Sequence, residues 1–313
     1  MPEVQEVLER HLDPRSDPSL AIRSVYGQWF PWLVYLDSRW ARHNTQRIFP
    51  QDDESCAMLD AAWDTYVTFS DLYDEVFDIL KAEYSHAVDR IGQRTEATRH
   101  LADPDERLGQ HLMMFYGRDK LSLDEAGSLL RRFFATADDK LRGLTIQFIG
   151  RSLRDSGNLR AEIIGRFRRL WEWRLDVMLG ASSPQVHIAE LSAFGWWFIS
   201  QAFDDQWAMH NLLQTLRLVQ KTDFEDRVVE RLASLAEKMP GETVECLRFL
   251  IEGDKEGWAI YAWREHARSI LSTALRTGNN EVKQAATEVV HRLGARGYFE
   301  FGDLLKEEPI QPA

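Results

Sequence analysis

The stretch Leu141-Arg142-Gly143-Leu144-Thr145-Ile146-Gln147-Phe148-Ile149-Gly150-Arg151-Ser152-Leu153 decides the fold class. Leu141, Leu144, Phe148, Ile149 and Leu153 recur at steps of three and four, the spacing that lines one face of an α-helix. The same spacing returns in Val228, Val229, Leu232, Leu235 and Ala236, and again in Val282, Ala285, Ala286, Val289 and Leu293. Sustained two-residue alternation and the Asn-Gly or Asp-Gly pairs of tight hairpins are missing, so the expected class is all-α.

Outward from that stretch, breakers punctuate the chain: Asp155-Ser156-Gly157-Asn158, Gly180-Ala181-Ser182-Ser183-Pro184, Pro240-Gly241, Gly253 with Gly257, and Gly278-Asn279-Asn280. Helices are predicted near 138–155, 158–179, 184–200, 204–219, 223–239, 241–252, 257–277 and 280–293. Taken as consecutive antiparallel pairs, they start 46, 39 and 34 residues apart, bracketing the roughly 40-residue period of HEAT-type repeats. The expected architecture is therefore a HEAT-like α-solenoid of antiparallel helix pairs over 1–313, although no residue recurs at fixed phase. A subdivision into an N-terminal helical part, 1–100, and HEAT-like repeats, 101–313, goes with it.

Upstream, helices are predicted at 2–12, 18–30, 32–48, 53–69, 71–92, 104–117 and 122–136, with Pro31 ending or kinking the second. Gly92 to Asp103 lacks an apolar period and reads as a mobile loop. The segment 184–200 carries Val186, Ile188, Leu191, Phe194, Trp196, Trp197, Phe198 and Ile199 on nearly every side, which places it in the interior of the array. Lys306 to Ala313 has two prolines and reads as a frayed tail.

Composition excludes several classes. With 313 residues, 44% of them apolar, and 38 Lys+Arg against 50 Asp+Glu for a net charge of −12, the chain is long enough to bury a sizeable core. The longest nearly apolar run, Leu191 to Ile199, falls short of the roughly 20 residues of a membrane helix. The N-terminus lacks the basic start and apolar stretch of a secretory signal, and Cys56 and Cys246 stand 190 positions apart, so a reducing cytoplasm is expected. An acidic chain is also a poor polyanion binder, which makes nucleic acid an unfavoured partner.

Motifs for chemistry are few. Neither a Gly-x4-Gly-Lys-Ser/Thr loop nor a Gly-x-Gly-x-x-Gly turn occurs, and Gly253-Asp254-Lys255-Glu256-Gly257 reads as a helix stop and restart. His187-x-x-Glu190 has usable helical spacing but supplies two metal ligands of four. The pairs Asp52-Asp53, Asp138-Asp139 and Asp204-Asp205 sit at helix starts, where capping explains them. The expectation is thus no catalytic residue, no cofactor and no metal.

Two features remain as candidate partner-binding residues. Between Arg151 and Arg174, seven arginines face three carboxylates, a local +4. A helical wheel points Ile163, Ile164, Phe167, Leu170, Trp171 and Met178 inward and leaves Arg166, Arg169 and Trp173 outward. The patch reads either as a solvated face, with Glu162–Arg166 pairing and Arg169 over Trp173, or as a recognition surface. Arg174 projects on the apolar side and is expected to pair with a carboxylate of a neighbouring helix. On 257–277, Ile260, Trp263, Ala267, Ile270, Leu271 and Ala274 make one face, leaving Trp258 and Tyr261 on another, either as interface anchors or packed against the next repeat.

Phe194-Gly195-Trp196-Trp197-Phe198-Ile199-Ser200 running into Phe203-Asp204-Asp205-Gln206-Trp207, and Glu252-Gly253-Asp254-Lys255-Glu256-Gly257-Trp258 running to Trp263-Arg264, resemble the C-terminal helical region of large bacterial proteins described as ATP-binding or sirtuin-like. His291 to Gly297 followed by Phe299-Glu300-Phe301 fits the same tail, and the resemblance covers about residues 18–305. The resemblance implies a helical sensor or scaffold arm for an NTPase or NAD-consuming effector linked to anti-phage defence, with an effector subunit or a phage protein as partner. This chain lacks the effector, and no functional residue carries over. The leading expectation is a non-enzymatic, protein-binding scaffold or sensor. A nucleic-acid-binding HEAT-like protein and an all-α enzyme with a dispersed site are the alternatives.

Overall fold

A computed structural model describes residues 2–93, 102–155, 157, 159–180 and 184–306. Among them it holds no strand and the helices α1 (Pro2–Leu12), α2 (Leu20–Gln28), α3 (Phe30–Ile48), α4 (Cys56–Phe69), α5 (Asp74–Ile79), α6 (Lys81–Asp89), α7 (Pro104–Gly117), α8 (Leu129–Thr136) and α9 (Asp139–Asp155). They continue as α10 (Ala161–Leu179), α11 (Ile188–Ser192), α12 (Phe194–Ile199), α13 (Asp205–Val219), α14 (Glu225–Leu235), α15 (Pro240–Gly253), α16 (Ile260–Arg276) and α17 (Asn280–Ala295). The fold is all-α, and no described helix is long and apolar enough to cross a membrane. The expected mobile loop falls largely on 94–101 and the expected frayed tail on 307–313, both outside the described residues. The chain divides into two compact units, Met1–Leu141 and Arg142–Ala313.

Differences from the predicted helices have local causes. The helix predicted over 184–200 is a 3₁₀ turn followed by α11 and α12. Its break lies where the Ser192 carbonyl accepts from Asp223 N at 2.9 Å and from the Thr222 hydroxyl at 3.3 Å, leaving the Trp196 amide to bond Ala193 O instead. The burial expected of this segment holds from Glu190 to Ile199. Pro31 stops α2 at Gln28 and sits in the first turn of α3, where its missing N–H has no helical partner to lose.

In the first unit, α2 and α4 approach closely. A Cβ on Gly27 would stand 1.9 Å from the Ala62 carbonyl oxygen, so only glycine fits. Beside it the Thr65 hydroxyl donates to Ser24 O at 2.8 Å, tying the helices together. Under this contact lies an aromatic core in which Phe30, Phe49, Trp63, Tyr66, Tyr84 and Phe77 meet mostly edge to face. The Tyr84 hydroxyl joins the Tyr66 hydroxyl at 3.1 Å and His111 Nδ1 at 2.8 Å. Burial pushes His111 down to about 3, so the ring is neutral.

In the second unit, contacts skip one helix, α12 with α14 and α14 with α16, and α13 with α15 and α15 with α17. Trp171 stacks flat on Phe194 at 4.7 Å, and its indole N–H donates to the Thr215 hydroxyl at 3.3 Å. The buried face of α9 runs through Gly143, Ile146, Ile149, Gly150 and Leu153, while Leu144 and Phe148 are half-buried. Glycine moves that face: a Cβ on Gly143 would meet the Ala189 carbonyl at 2.6 Å, and one on Gly150 would meet Trp196 at 2.4 Å.

Candidate functional site

A group of exposed aromatic rings lies on the first unit. At the α2–α3 junction Phe30 and Val34 point into the core, while Trp29, Trp32 and Tyr35 project outward at three-residue steps. They are 49%, 55% and 79% exposed, far above the usual burial of such rings. Trp32 and Tyr35 stand edge to face at 5.8 Å. The α2–α4 contact brings the end of α4 alongside: the Ser70 hydroxyl donates to Gln28 O at 3.2 Å, and Phe69 and Trp29 line the same cavity. The short link to α5 then adds Tyr73, 51% exposed.

These rings line two adjoining cavities. The larger, about 490 Å³, is bounded by Pro31, Trp32, Val34, Tyr35, Tyr73, Asp74, Glu75 and Val76. The smaller, about 200 Å³, lies among Gln28, Trp29, Pro31, Trp32, Phe69, Ser70, Asp71 and Tyr73. Pro31, Trp32 and Tyr73 belong to both, so the two form one groove. Carboxylates rim it. Glu75 accepts from the Ser38 hydroxyl at 2.7 Å and lies 3.6 Å from Arg42, while Asp74 lies 3.6 Å from Arg118 and 3.7 Å from Lys120. Farther along α5, Lys81 and then Lys120 hold the Asp78 carboxyl below the ordinary carboxylate range. The lining combines flat apolar surface, indole and phenol donors and carboxylate acceptors, a set suited to binding a segment of another molecule.

The second unit places the residues singled out by sequence differently. Arg169 is exposed, whereas Arg166 and Trp173 are half-buried. The guanidinium of Arg174 lies over the Trp173 ring at 4.7 Å. Arg174 also pairs with the buried Glu190 carboxylate, as its position on the apolar face predicts, with Nη2 donating to Oε2 at 3.2 Å. Arg142 joins the same carboxylate and donates to His187 Nδ1 at 2.9 Å, so both residues of His187-x-x-Glu190 are engaged by arginine. Other members of the arginine run have partners inside the unit: Arg151 lies over Trp196 at 4.8 Å and Arg168 over Trp207 at 4.7 Å.

Trp258 and Tyr261 are open to solvent, not packed against a further repeat, at 70% and 56% exposure. Their rings stack at 5.9 Å, and Tyr261 leans on Tyr298 at 5.2 Å. The Asp254 carboxylate caps the turn before them, accepting from Gly257 N at 3.0 Å and Ala259 N at 2.9 Å, as expected of a helix stop and restart. Nearby, burial and then the charge of Asp254 push the Glu225 carboxyl up to about 7.

The structure thus brings Trp258 and Tyr261 together and sets Arg169 apart from them on α10. Sequence reasoning passed over Trp29, Trp32, Tyr35, Phe69 and Tyr73. Their signal was available: three aromatics three residues apart across a proline, on the side opposite Phe30 and Val34. Comparison with protein-family models, curated proteins and solved structures yields no match for this chain.

Proposed function

We propose that the chain is a non-enzymatic helical module that binds a partner protein, and that the aromatic groove of the first unit is its docking surface. The carrying observation is the row Trp29, Trp32 and Tyr35 with Tyr73 across from it, all about half exposed or more beside two open cavities. Tryptophan and tyrosine dominate the energetic centres of protein interfaces, because each buries a large rigid area while keeping a hydrogen-bonding group. Leaving several on one outer face of a folded chain exposes apolar area that a partner would cover.

The packing of the second unit supports the finer architectural reading. Contacts that skip one helix, along α12–α14–α16 and along α13–α15–α17, are the pattern expected of helix pairs stacked in an α-solenoid. The nucleic-acid reading is weakened because Arg151, Arg168 and Arg174 are engaged by rings and a carboxylate of the chain itself.

The test is affinity purification of the tagged full chain from the cells that make it, after nuclease treatment, in parallel with Trp32→Ser/Tyr35→Ser. The expected result is a stoichiometric protein that the wild type retains and the double variant loses, with the helical circular-dichroism signal of the two unchanged. Equal recovery of that protein by both would remove the groove as its docking surface.

A further inference from the structure

We infer that the groove takes a cationic, apolar peptide segment of its partner, with an arginine or lysine seated against Trp32, Tyr35 and Tyr73 beside Asp74 and Glu75. The inference rests on the docking reading above and adds the chemistry of the occupant.

Three observations carry it. First, charge is divided unevenly along the chain. Residues 1–141 hold 26 acidic and 16 basic side chains, so ten of the twelve net negative charges lie in the unit that bears the groove. The segment 52–89, which supplies one wall, contains eleven acidic residues and one basic one, Lys81, and Arg42, Arg90, Arg118, Lys120 and Arg132 from outside it pair with five of the eleven. Such a surface attracts a basic segment and repels an anionic lipid surface, a nucleic acid or a second copy of itself. Second, the floor of the larger cavity is aromatic and its rim carboxylate. A guanidinium or ammonium over a Trp or Tyr face is held by the ring quadrupole, and a neighbouring carboxylate can take its N–H donors. Third, the rim has acceptor capacity left. Arg42, Arg118 and Lys120 stand 3.6 to 3.7 Å from Glu75 and Asp74, outside hydrogen-bond distance for those ion pairs. A carboxylate has about four lone-pair sites, so an incoming donor need not displace them.

The smaller cavity accounts for the apolar part of the segment. Trp29 and Phe69 both line it, together with Asp71, offering apolar surface to a residue next to the cation. The volume of the larger cavity, about 490 Å³, exceeds what a single side-chain head fills, and it lies within the range of small-ligand pockets, about 300–1,000 Å³.

The test uses the full chain and three synthetic twelve-residue peptides that share one apolar pattern, with their polar positions all Arg, all Gln or all Glu. Binding is followed by fluorescence anisotropy at two salt concentrations. The expected order is Arg tighter than Gln by about tenfold or more, with the Glu peptide unbound, and the preference shrinking as salt rises. In Trp32→Ser/Tyr35→Ser, which keeps every carboxylate, Arg-peptide affinity should fall about tenfold. In Asp71→Asn/Asp74→Asn/Glu75→Gln the Arg-over-Gln preference should drop below about threefold while Gln-peptide binding persists. Equal affinity for Arg and Gln peptides, both lost in the aromatic variant, would overturn the cationic inference and leave the docking reading standing. Arg-peptide binding unchanged in the aromatic variant would place that binding on the diffuse acidic surface and overturn the inference. Concentration-dependent dimerisation abolished by Trp32→Ser/Tyr35→Ser would do so as well, since the groove would then be covered by a second copy.

Discussion

The two units differ in the charge that meets their aromatic rings. In the second, guanidiniums cover rings: Arg151 over Trp196, Arg168 over Trp207, Arg174 over Trp173, Arg231 over Phe198, Arg248 over Phe249 and Arg268 over Phe301. In the first, Trp29, Trp32, Tyr35 and Tyr73 stand open beside carboxylates. The second unit has 24 acidic and 22 basic residues, close to balance, whereas the first carries a net −10. An aromatic ring near the surface is stabilised by a cation, and the second unit supplies that cation from its own chain. At the groove of the first unit the exposed rings stand beside carboxylates, which is the complement of a basic partner.

Five variants break or sharpen this contrast. The largest effect is expected in the second unit from Glu190→Gln. That change removes the charge shared by two buried arginines, Arg142 and Arg174, and breaking such a pair typically destabilises by about 3–5 kcal/mol. Urea unfolding would read it, and a loss under about 1 kcal/mol would mean those guanidiniums find water instead.

Next comes Gly27→Ala in the first unit. The new methyl group cannot fit against the Ala62 carbonyl unless α2 and α4 separate, an overpacking cost of about 1–3 kcal/mol or more. Because that contact brings α2 and α4, whose ends carry Trp29 and Phe69 of the smaller cavity, close together, partner binding should weaken along with the melting temperature. Unaltered binding in a destabilised Gly27→Ala chain would show that the groove does not depend on helix spacing.

A smaller effect, on the order of 1 kcal/mol, is expected from Glu225→Gln and should depend on pH. Glu225 titrates near 7 in the folded chain, above the ordinary 4.5, so the native state binds the extra proton between those values. Stability from this group is therefore present below about pH 4.5 and lost as pH rises through about 7. Glu225→Gln should be more stable than wild type at pH 8 and nearly equal to it at pH 4.5. A difference of the same size at both pH values would remove the titration from the explanation.

The smallest effects on stability belong to the surface. Arg169→Glu and Trp32→Ser/Tyr35→Ser should each shift unfolding by no more than about 0.5 kcal/mol, the usual range for exposed positions. Only the second should alter partner binding. Loss of binding with Arg169→Glu alone would transfer the docking surface to α10.

How much of this was legible in sequence depended on residue size. Large apolar residues gave the helices: 2–12 and 104–117 coincide with α1 and α7, and the inward turn of Arg174 followed from its place on the wheel. Small residues misled. Of the stripe Leu141, Leu144, Phe148, Ile149 and Leu153, the last two are buried as expected, but the buried face swings to Gly143 and Gly150, because helices meet most closely where no side chain intervenes. The break at Ser192 was invisible, since it depends on hydrogen bonds from Thr222 and Asp223, thirty residues away. The groove was overlooked for a related reason. Trp32 and Tyr35 look like core residues in any composition count, and only the fold shows that Phe30 and Val34 take the inner positions.

The most direct measurement replaces Tyr35 by a photo-reactive phenylalanine analogue in the full chain and, separately, Phe299, which is equally exposed on the second unit. Irradiation in the native cells, followed by mass spectrometry of the cross-linked product, identifies what each position touches. The account predicts one dominant protein adduct at position 35, attached through a segment rich in Arg or Lys, and no matching adduct at position 299. An adduct to the same protein at 299 but none at 35 would contradict it.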